Sequence, residues 1–143
     1  MIIVFDIDGT VADVAHRLHW IETKPKNWPA FYGGIPHDPE IEPLANLARE
    51  LAKEHTLVYC TGRDEKYRDS TESWLAGHGM THQGLYMRPD HDYRIDSEVK
   101  RDLIQRIWSE HGRPDLVFED RQRNVDMFRS LGLICLQVAK GDY

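Results

Sequence analysis

Four short stretches of the chain are apolar almost without interruption: Ile2-Ile3-Val4-Phe5, Leu57-Val58-Tyr59-Cys60, Leu116-Val117-Phe118 and Leu133-Ile134-Cys135-Leu136-Gln137-Val138. Continuous rather than alternating apolar runs of this length are expected of strands covered on both faces. A weaker fifth candidate is Gly84-Leu85-Tyr86-Met87. Between these runs, apolar residues recur three or four apart, as on one face of a helix. Ile41, Leu44, Leu47, Ala48 and Leu51 mark one such face, and Tyr67, Thr71, Trp74, Leu75 and His78 a second. Val99, Leu103, Ile104, Ile107 and Trp108 mark a third, and Val125, Phe128 and Leu131 a fourth. Gly112 and Gly132 follow two of these faces, where helix ends favour glycine. Strand alternating with helix at these spacings predicts an α/β fold: a doubly wound, mainly parallel sheet between two layers of helices. Residues 12–40 break the alternation. Trp20, Trp28, Pro29, Phe31, Gly33, Gly34, Pro36 and Pro39 make that stretch rich in aromatics, glycine and proline, so a small flap is expected rather than a second domain.

The length of 143 residues suits a single domain, 1–143, able to build a core without disulfides or structural metals. A net charge of −6 argues against sequence-independent binding along a duplex but leaves room for one phosphate in a local basic pocket. Cys60 and Cys135 both sit in apolar runs, which fits buried free thiols and a reducing, cytoplasmic setting. The apolar start, Met1 to Phe5, is too short for a signal peptide, and no stretch reaches the roughly 20 apolar residues of a membrane span.

The strongest chemical signal is Phe5-Asp6-Ile7-Asp8-Gly9-Thr10 at the end of the first strand. Residues two apart in a strand share a face, so the two carboxylates emerge together at the edge where open parallel sheets bind ligands. Close carboxylates repel, an arrangement made tolerable by a cation or a shared proton. Three further elements are expected at the same edge. Thr61-Gly62-Arg63 ends the second strand, offering a hydroxyl, backbone N–H groups and a planar cationic fork for phosphate oxygens. Lys100 opens a helix, and Glu119-Asp120 ends the fourth strand with hard oxygen ligands suited to magnesium.

In this order, the four motifs resemble those of the haloacid dehalogenase-like phosphohydrolases. The resemblance implies a five-stranded core sheet of order 5-4-1-2-3 with a minimal cap. It implies that Asp6 attacks phosphorus, and that Asp8 protonates the leaving oxygen and then activates water against the aspartyl-phosphate. It further implies Mg2+ held by Asp6, the Asp8 backbone carbonyl and the acidic pair. The first acid of that pair is commonly Asp, and here it is Glu119. Its longer arm could reach the ion directly or through water, which makes Asp120 the better candidate for the direct ligand.

A closer resemblance covers nearly the whole chain. Thr61-Gly62-Arg63, Trp74-Leu75, Arg88, Arg94-Ile95-Asp96, Val99-Lys100, Asp120-Arg121, Met127-Phe128-Arg129, Gly132 and the tail from Cys135 to Asp142 and Tyr143 look like the 3′-phosphatase domain of bacteriophage polynucleotide kinase/3′-phosphatase. This implies that Arg17, Arg63 and Arg88 line a phosphate site and that the partner is a phosphorylated nucleic-acid end. No GxxxxGK[ST] loop occurs, so no kinase activity is expected of this chain.

Hydrolysis of a 3′-phosphate from a nucleic-acid end is thus the leading expectation, with a nucleoside monophosphate phosphatase as the alternative. A non-enzymatic phospho-aspartate signalling module is a remote third, disfavoured because Asp8 would promote hydrolysis of the acyl-phosphate. Trp20, Trp28, Phe31 and Tyr32 either stack a nucleobase at the site mouth or pack the flap. His16 and His19 lack a third ligand for zinc and are expected to be ordinary flap histidines. Arg121 and Arg123 either pair with acids or reach phosphate.

Overall fold

The structure, a computed structural model, describes residues 1–141; Asp142 and Tyr143, the end of the tail that carries part of the resemblance, lie outside the described residues. Five parallel strands form one sheet: β1 (Ile2–Phe5), β2 (Thr56–Asp64), β3 (Leu85–Arg88), β4 (Leu116–Arg121) and β5 (Cys135–Gly141). Their order is β3-β2-β1-β4-β5, which is the expected 5-4-1-2-3 read from the other edge. The weakest sequence candidate is therefore a real edge strand.

Period-two burial explains why the runs are continuous. Ile3, Phe5, Leu57 and Tyr59 point into one apolar cluster, whereas Val4, Val58, Cys60 and Val117 point into another on the opposite face. Helices α3 (Glu42–Ala52) and α4 (Arg68–Gly77) flank the first cluster, to which Ala45, Ala48, Trp74 and Leu75 contribute. Helices α5 (Asp96–His111) and α6 (Gln122–Ser130) cover the second through Val99, Leu103, Ile104, Ile107, Val125 and Phe128. Both cysteines are buried free thiols in that second cluster. Gly112 and Gly132 follow α5 and α6 with positive φ (111° and 81°), the conformation only glycine takes without strain.

Two helix-face expectations fall at the margin. Leu47 and Trp108 are 38% exposed each. Both lie at the rim of their faces; Trp108 is covered from outside by the Arg113 guanidinium, 5.5 Å from its ring centroid. The stretch 12–40 holds two short helices, α1 (His19–Glu22) and α2 (Trp28–Gly33), with single 3-10 turns at Ala15–Arg17 and Ile35–His37. It is tied to the body where Asp13 N donates to Pro39 O and Ile41 N to Val11 O. Among the described residues, no helix is long and apolar enough to cross a membrane.

Candidate active site

The site grows out of strand ends. After Phe5 the chain leaves β1, with Asp6 N donating to Phe118 O at 2.9 Å. It then turns tightly: Thr10, Val11 and Ala12 N–H groups converge on Ile7 O, and Gly9 adopts φ 80°. The turn brings the Thr10 hydroxyl to Asp6 Oδ2, 3.0 Å away. On both flanks the strand pairing is irregular at the chemical motif itself. The β2–β3 register shifts between Cys60 and Asp64, and the β4–β5 register between Glu119 and Arg121. Such irregularities re-aim side chains at a sheet rim. They turn Thr61-Gly62-Arg63 and Glu119-Asp120 toward the β1 end.

A cavity of about 390 Å³ opens there, and Asp6, Asp8, Thr61, Gly62, Arg63, Arg88, Lys100, Glu119 and Asp120 all line it. Nine of the ten residues expected from sequence to do the chemistry or to hold phosphate or metal thus meet around one space. Arg17 does not reach the wall. It is buried behind it, with Nη2 3.3 Å from Asp8 Oδ1 and its guanidinium 4.3 Å from the Phe31 ring centroid. Arg121 and Arg123 also line the cavity, and Arg121 Nη1 lies 3.5 Å from Asp96 Oδ2.

Charges alternate through the site. Lys100 Nζ, 2% exposed, donates to Asp6 Oδ1 at 2.7 Å and to Glu119 Oε2 at 2.6 Å. Both carboxylates hold the Lys100 ammonium well above its ordinary pKa despite the burial that opposes its charge. Burial, reinforced by the nearby Glu119 carboxylate, pushes Asp6 up to about 7 even with Lys100 pulling the other way. Burial raises Glu119 too. Asp8 goes the other way. Burial resists its ionisation, but Arg63 Nη2 at 2.5 Å, Nε at 3.1 Å and Arg17 behind it hold its carboxyl below the usual range.

Three contributors were given no role of their own by the sequence. Thr10 was visible only as part of the first motif. Asp38, buried, accepts from Arg17 Nε and Nη2 at 2.8 Å each, from Arg63 Nη2 at 3.3 Å, and engages His16 Nε2 at 2.6 Å. His16 thus pairs with the flap's own carboxylate. Asp96, at the start of α5, holds Asn124 Nδ2 at 2.8 Å and sits against Gly62, where an added Cβ would lie 1.9 Å from its Oδ1. Gly62 is therefore required for the close approach of β2 to α5. The motif positions of Asp96 hinted at its place; nothing in a proline- and glycine-rich stretch hinted at Asp38.

The donor set fits a small hard cation. Asp6, Glu119 and Asp120 are all buried and offer carboxylate oxygens within 4.8 Å of one another. Lys100 already places a cation between two of them. Asn124 Oδ1, buried at the same cavity, has no hydrogen-bond partner, an acceptor that a metal-bound water would satisfy. Glu119 Oε1 accepts from the backbone N–H groups of Asp120 and Arg121 at 3.1 Å, so its head is anchored from behind.

The fold and this constellation together define a haloacid dehalogenase-like enzyme. A hydrolase of that family from Streptococcus pneumoniae, SP0104, superposes with a TM-score of 0.68 at 15% identity, covering 95% of this chain and 83% of its own, a likeness of fold. A chain in the structure of the Pnkp1/Rnl/Hen1 RNA repair complex reaches a TM-score of 0.84 at 28% identity over 99% of this chain. A chain of a further Pnkp1/Rnl/Hen1 complex reaches 0.77 at 26% identity, also over 99%. The present chain spans less than half of those two chains, 43% and 46%. Over residues 1–143 the sequence matches the family described as the polynucleotide kinase PNKP phosphatase domain, and the chain belongs to that family. It is a phosphatase, which sets aside the signalling alternative.

Proposed function

We propose that this phosphatase is magnesium-dependent, works through an aspartyl-phosphate on Asp6, and removes 3′-phosphate from nucleic-acid ends. The observation that carries the reading is the union of a full-length family match with one cavity in which a buried Asp6, an ion-paired Asp8 and a ring of cations face the same space. The similarity to a chain of an RNA repair complex supports the choice of a nucleic-acid end over other phosphomonoesters.

Asp6, Glu119 and Asp120 would hold the magnesium ion, which when bound offsets the negative charge that Asp6 and phosphate bring together. Thr10 and Lys100 each engage one Asp6 oxygen, which fixes the carboxylate's orientation for in-line attack. An Asp6 oxygen forms the new bond to phosphorus as the bond to the leaving oxygen breaks. Asp8 gives that oxygen its proton. In the second step Asp8 takes a proton from water, whose oxygen attacks phosphorus, releasing phosphate and restoring Asp6.

In the substrate-free arrangement Asp8 is ionised by its arginines, the wrong state for an acid. The same guanidinia are the cations a phosphate dianion would claim, Arg63 above all. When phosphate draws Arg63 away and adds its own negative charge nearby, the Asp8 carboxyl rises and can carry a proton. Arg17, paired to Asp38, stays behind to orient Asp8 rather than to touch substrate.

The test compares magnesium-dependent phosphate release from a 3′-phosphorylated oligonucleotide, its 5′-phosphorylated counterpart, and nucleoside monophosphates. Preference for the first is expected by at least about tenfold in kcat/KM, or about 1.4 kcal/mol. Preference for the monophosphates would instead identify a nucleotidase.

A further inference from the structure

Helix α4 packs behind the site, and its residues Trp74 and Leu75 enter the first apolar cluster. The same side of the helix also carries two polar atoms that packing alone does not need. Thr71 is completely buried, and its Oγ1 accepts from Arg63 Nη1 at 3.2 Å. Trp74, 4% exposed, donates its indole N–H to Asp38 O at 2.9 Å. Valine would fill the threonine's volume, and phenylalanine much of the tryptophan's, without burying a hydroxyl or an N–H. Either polar group costs free energy in the interior unless it is hydrogen-bonded.

Thr71 and Trp74 are three residues apart and so share one side of the helix. Their partners touch each other: Arg63 Nη2 lies 3.3 Å from Asp38 Oδ2. The same guanidinium grips Asp8 through Nη2 at 2.5 Å and Nε at 3.1 Å. Thr71 thus holds Arg63 by Nη1 while the carboxylates take Nη2 and Nε. Trp74 fixes the main chain that carries the balancing carboxylate. Asp38 stands before Pro39, which confines it to extended backbone (ψ 124°), so its side chain is aimed by where that backbone is anchored. The anchor is itself braced. His78 packs on the Trp74 ring, 4.3 Å between centroids, and its Nδ1 lies 3.2 Å from Oε2 of Glu40, which follows Pro39. Arg49 Nη1 closes the brace, donating to Glu40 Oε2 and to His78 O at 2.8 Å each.

We propose that Thr71 and Trp74 are positioning residues of the phosphatase: α4 sets the angle of the Arg63–Asp38 pair, and through it the orientation of the Asp8 carboxyl when the leaving oxygen is protonated. The inference rests on the reading of Asp8 as the acid. It gives α4 a task in the chemistry although Thr71 and Trp74 stand outside the wall of the catalytic cavity.

Leaving groups separate this role from a structural one. The first step is followed in single turnover on two substrates. One is the preferred nucleic-acid or nucleotide phosphate, read as release of its sugar hydroxyl product; the other is p-nitrophenyl phosphate, whose leaving oxygen needs no proton. Thr71→Val and Trp74→Phe are each expected to slow the sugar ester about fivefold, the effect of roughly one net hydrogen bond, and the p-nitrophenyl ester less than about twofold. Thr71→Ser keeps the hydroxyl and should stay within about twofold of the parent on both. The double variant Thr71→Val, Trp74→Phe should lose less than the product of the single losses, because both changes act on one ion pair. Leu75→Ala is the stability control: it opens the same apolar cluster but removes no hydrogen bond, and should melt lower with no bias between substrates. Equal slowing of both substrates by Thr71→Val and Trp74→Phe would assign α4 a structural role and overturn the proposal. So would a bias reproduced by Leu75→Ala, or no slowing at all. A different outcome strikes the reading beneath it: if Asp8→Asn slows both substrates alike, Asp8 is not the acid, and the positioning role falls with it.

Discussion

Asp38 grips Arg17 with both carboxylate oxygens: Oδ1 accepts from Nε and Oδ2 from Nη2, each at 2.8 Å. Fork-to-fork pairs of this kind fix a guanidinium in plane as well as in place. Both side chains are essentially sealed from solvent, and the pair reaches the chemistry through Arg63 and Asp8. The stretch 12–40 therefore does more than cover the cavity. It brings the carboxylate that balances two buried cations next to the proposed acid/base.

Removing that balance should be costly in two ways. Asp38→Asn keeps the volume but leaves Arg17 and Arg63 partly uncompensated in a buried setting, where breaking an ion pair costs about 3–5 kcal/mol. Urea unfolding of the variant should show a loss near the lower figure. Its residual activity should fall through kcat, since Asp8 loses its orientation while Arg88 and Lys100 still bind phosphate. A variant as stable as the parent would show that Asp38 carries no such charge balance.

Asp8→Asn removes both the proton for the leaving group and the base for water. The first step should survive on p-nitrophenyl phosphate, whose leaving oxygen needs no proton, and collapse on an alkyl ester such as a sugar 3′-phosphate. A pre-steady-state burst of p-nitrophenol followed by slow turnover is the expected trace. Equal loss on both substrates would remove Asp8 from the acid role.

Metal-free stability should depend on pH in an unusual direction. Asp6 in the fold titrates near 7 against an ordinary 3.8, so the folded state binds more protons than the unfolded chain between those values. Stability from this group is therefore lost as pH rises from about 4 to about 7, and Glu119 adds to the same trend because burial raises it too. Asp8 and Asp96, held below the ordinary range, act with opposite sign and at more acid pH. Thermal melts in chelator should fall across pH 5 to 7.5, magnesium should restore most stability at the alkaline end, and Asp6→Asn should flatten the slope. A parent protein whose melting temperature climbs over that interval would contradict the assignment.

Most of the sheet was legible because parallel strands buried on both faces read as unbroken apolar runs; even the edge strand at Leu85–Arg88 kept enough of that signal. The paired acids, Thr61 and Glu119-Asp120 were legible because each sits near a strand end whose position the pattern gives; Lys100, expected to open its helix, lies one turn inside α5, which starts at Asp96. Asp38 was not. It lies between Pro36 and Pro39 in a stretch without periodicity, and its importance comes from Arg17, 21 residues away, and Arg63, 25 away. Contacts made by separate loops, rather than by elements with a period, are where a sequence is silent.

The covalent role of Asp6 can be tested directly by trapping. Asp8→Asn protein is mixed with a substrate carrying a labelled phosphate and a good leaving group, quenched in acid during the burst, digested and mapped. The expected result is label on the peptide containing Asp6 at close to one equivalent, absent from the Asp6→Asn, Asp8→Asn double variant. Stoichiometric release of the leaving group with all label already in free phosphate, or label on any other residue, would contradict nucleophilic catalysis by Asp6.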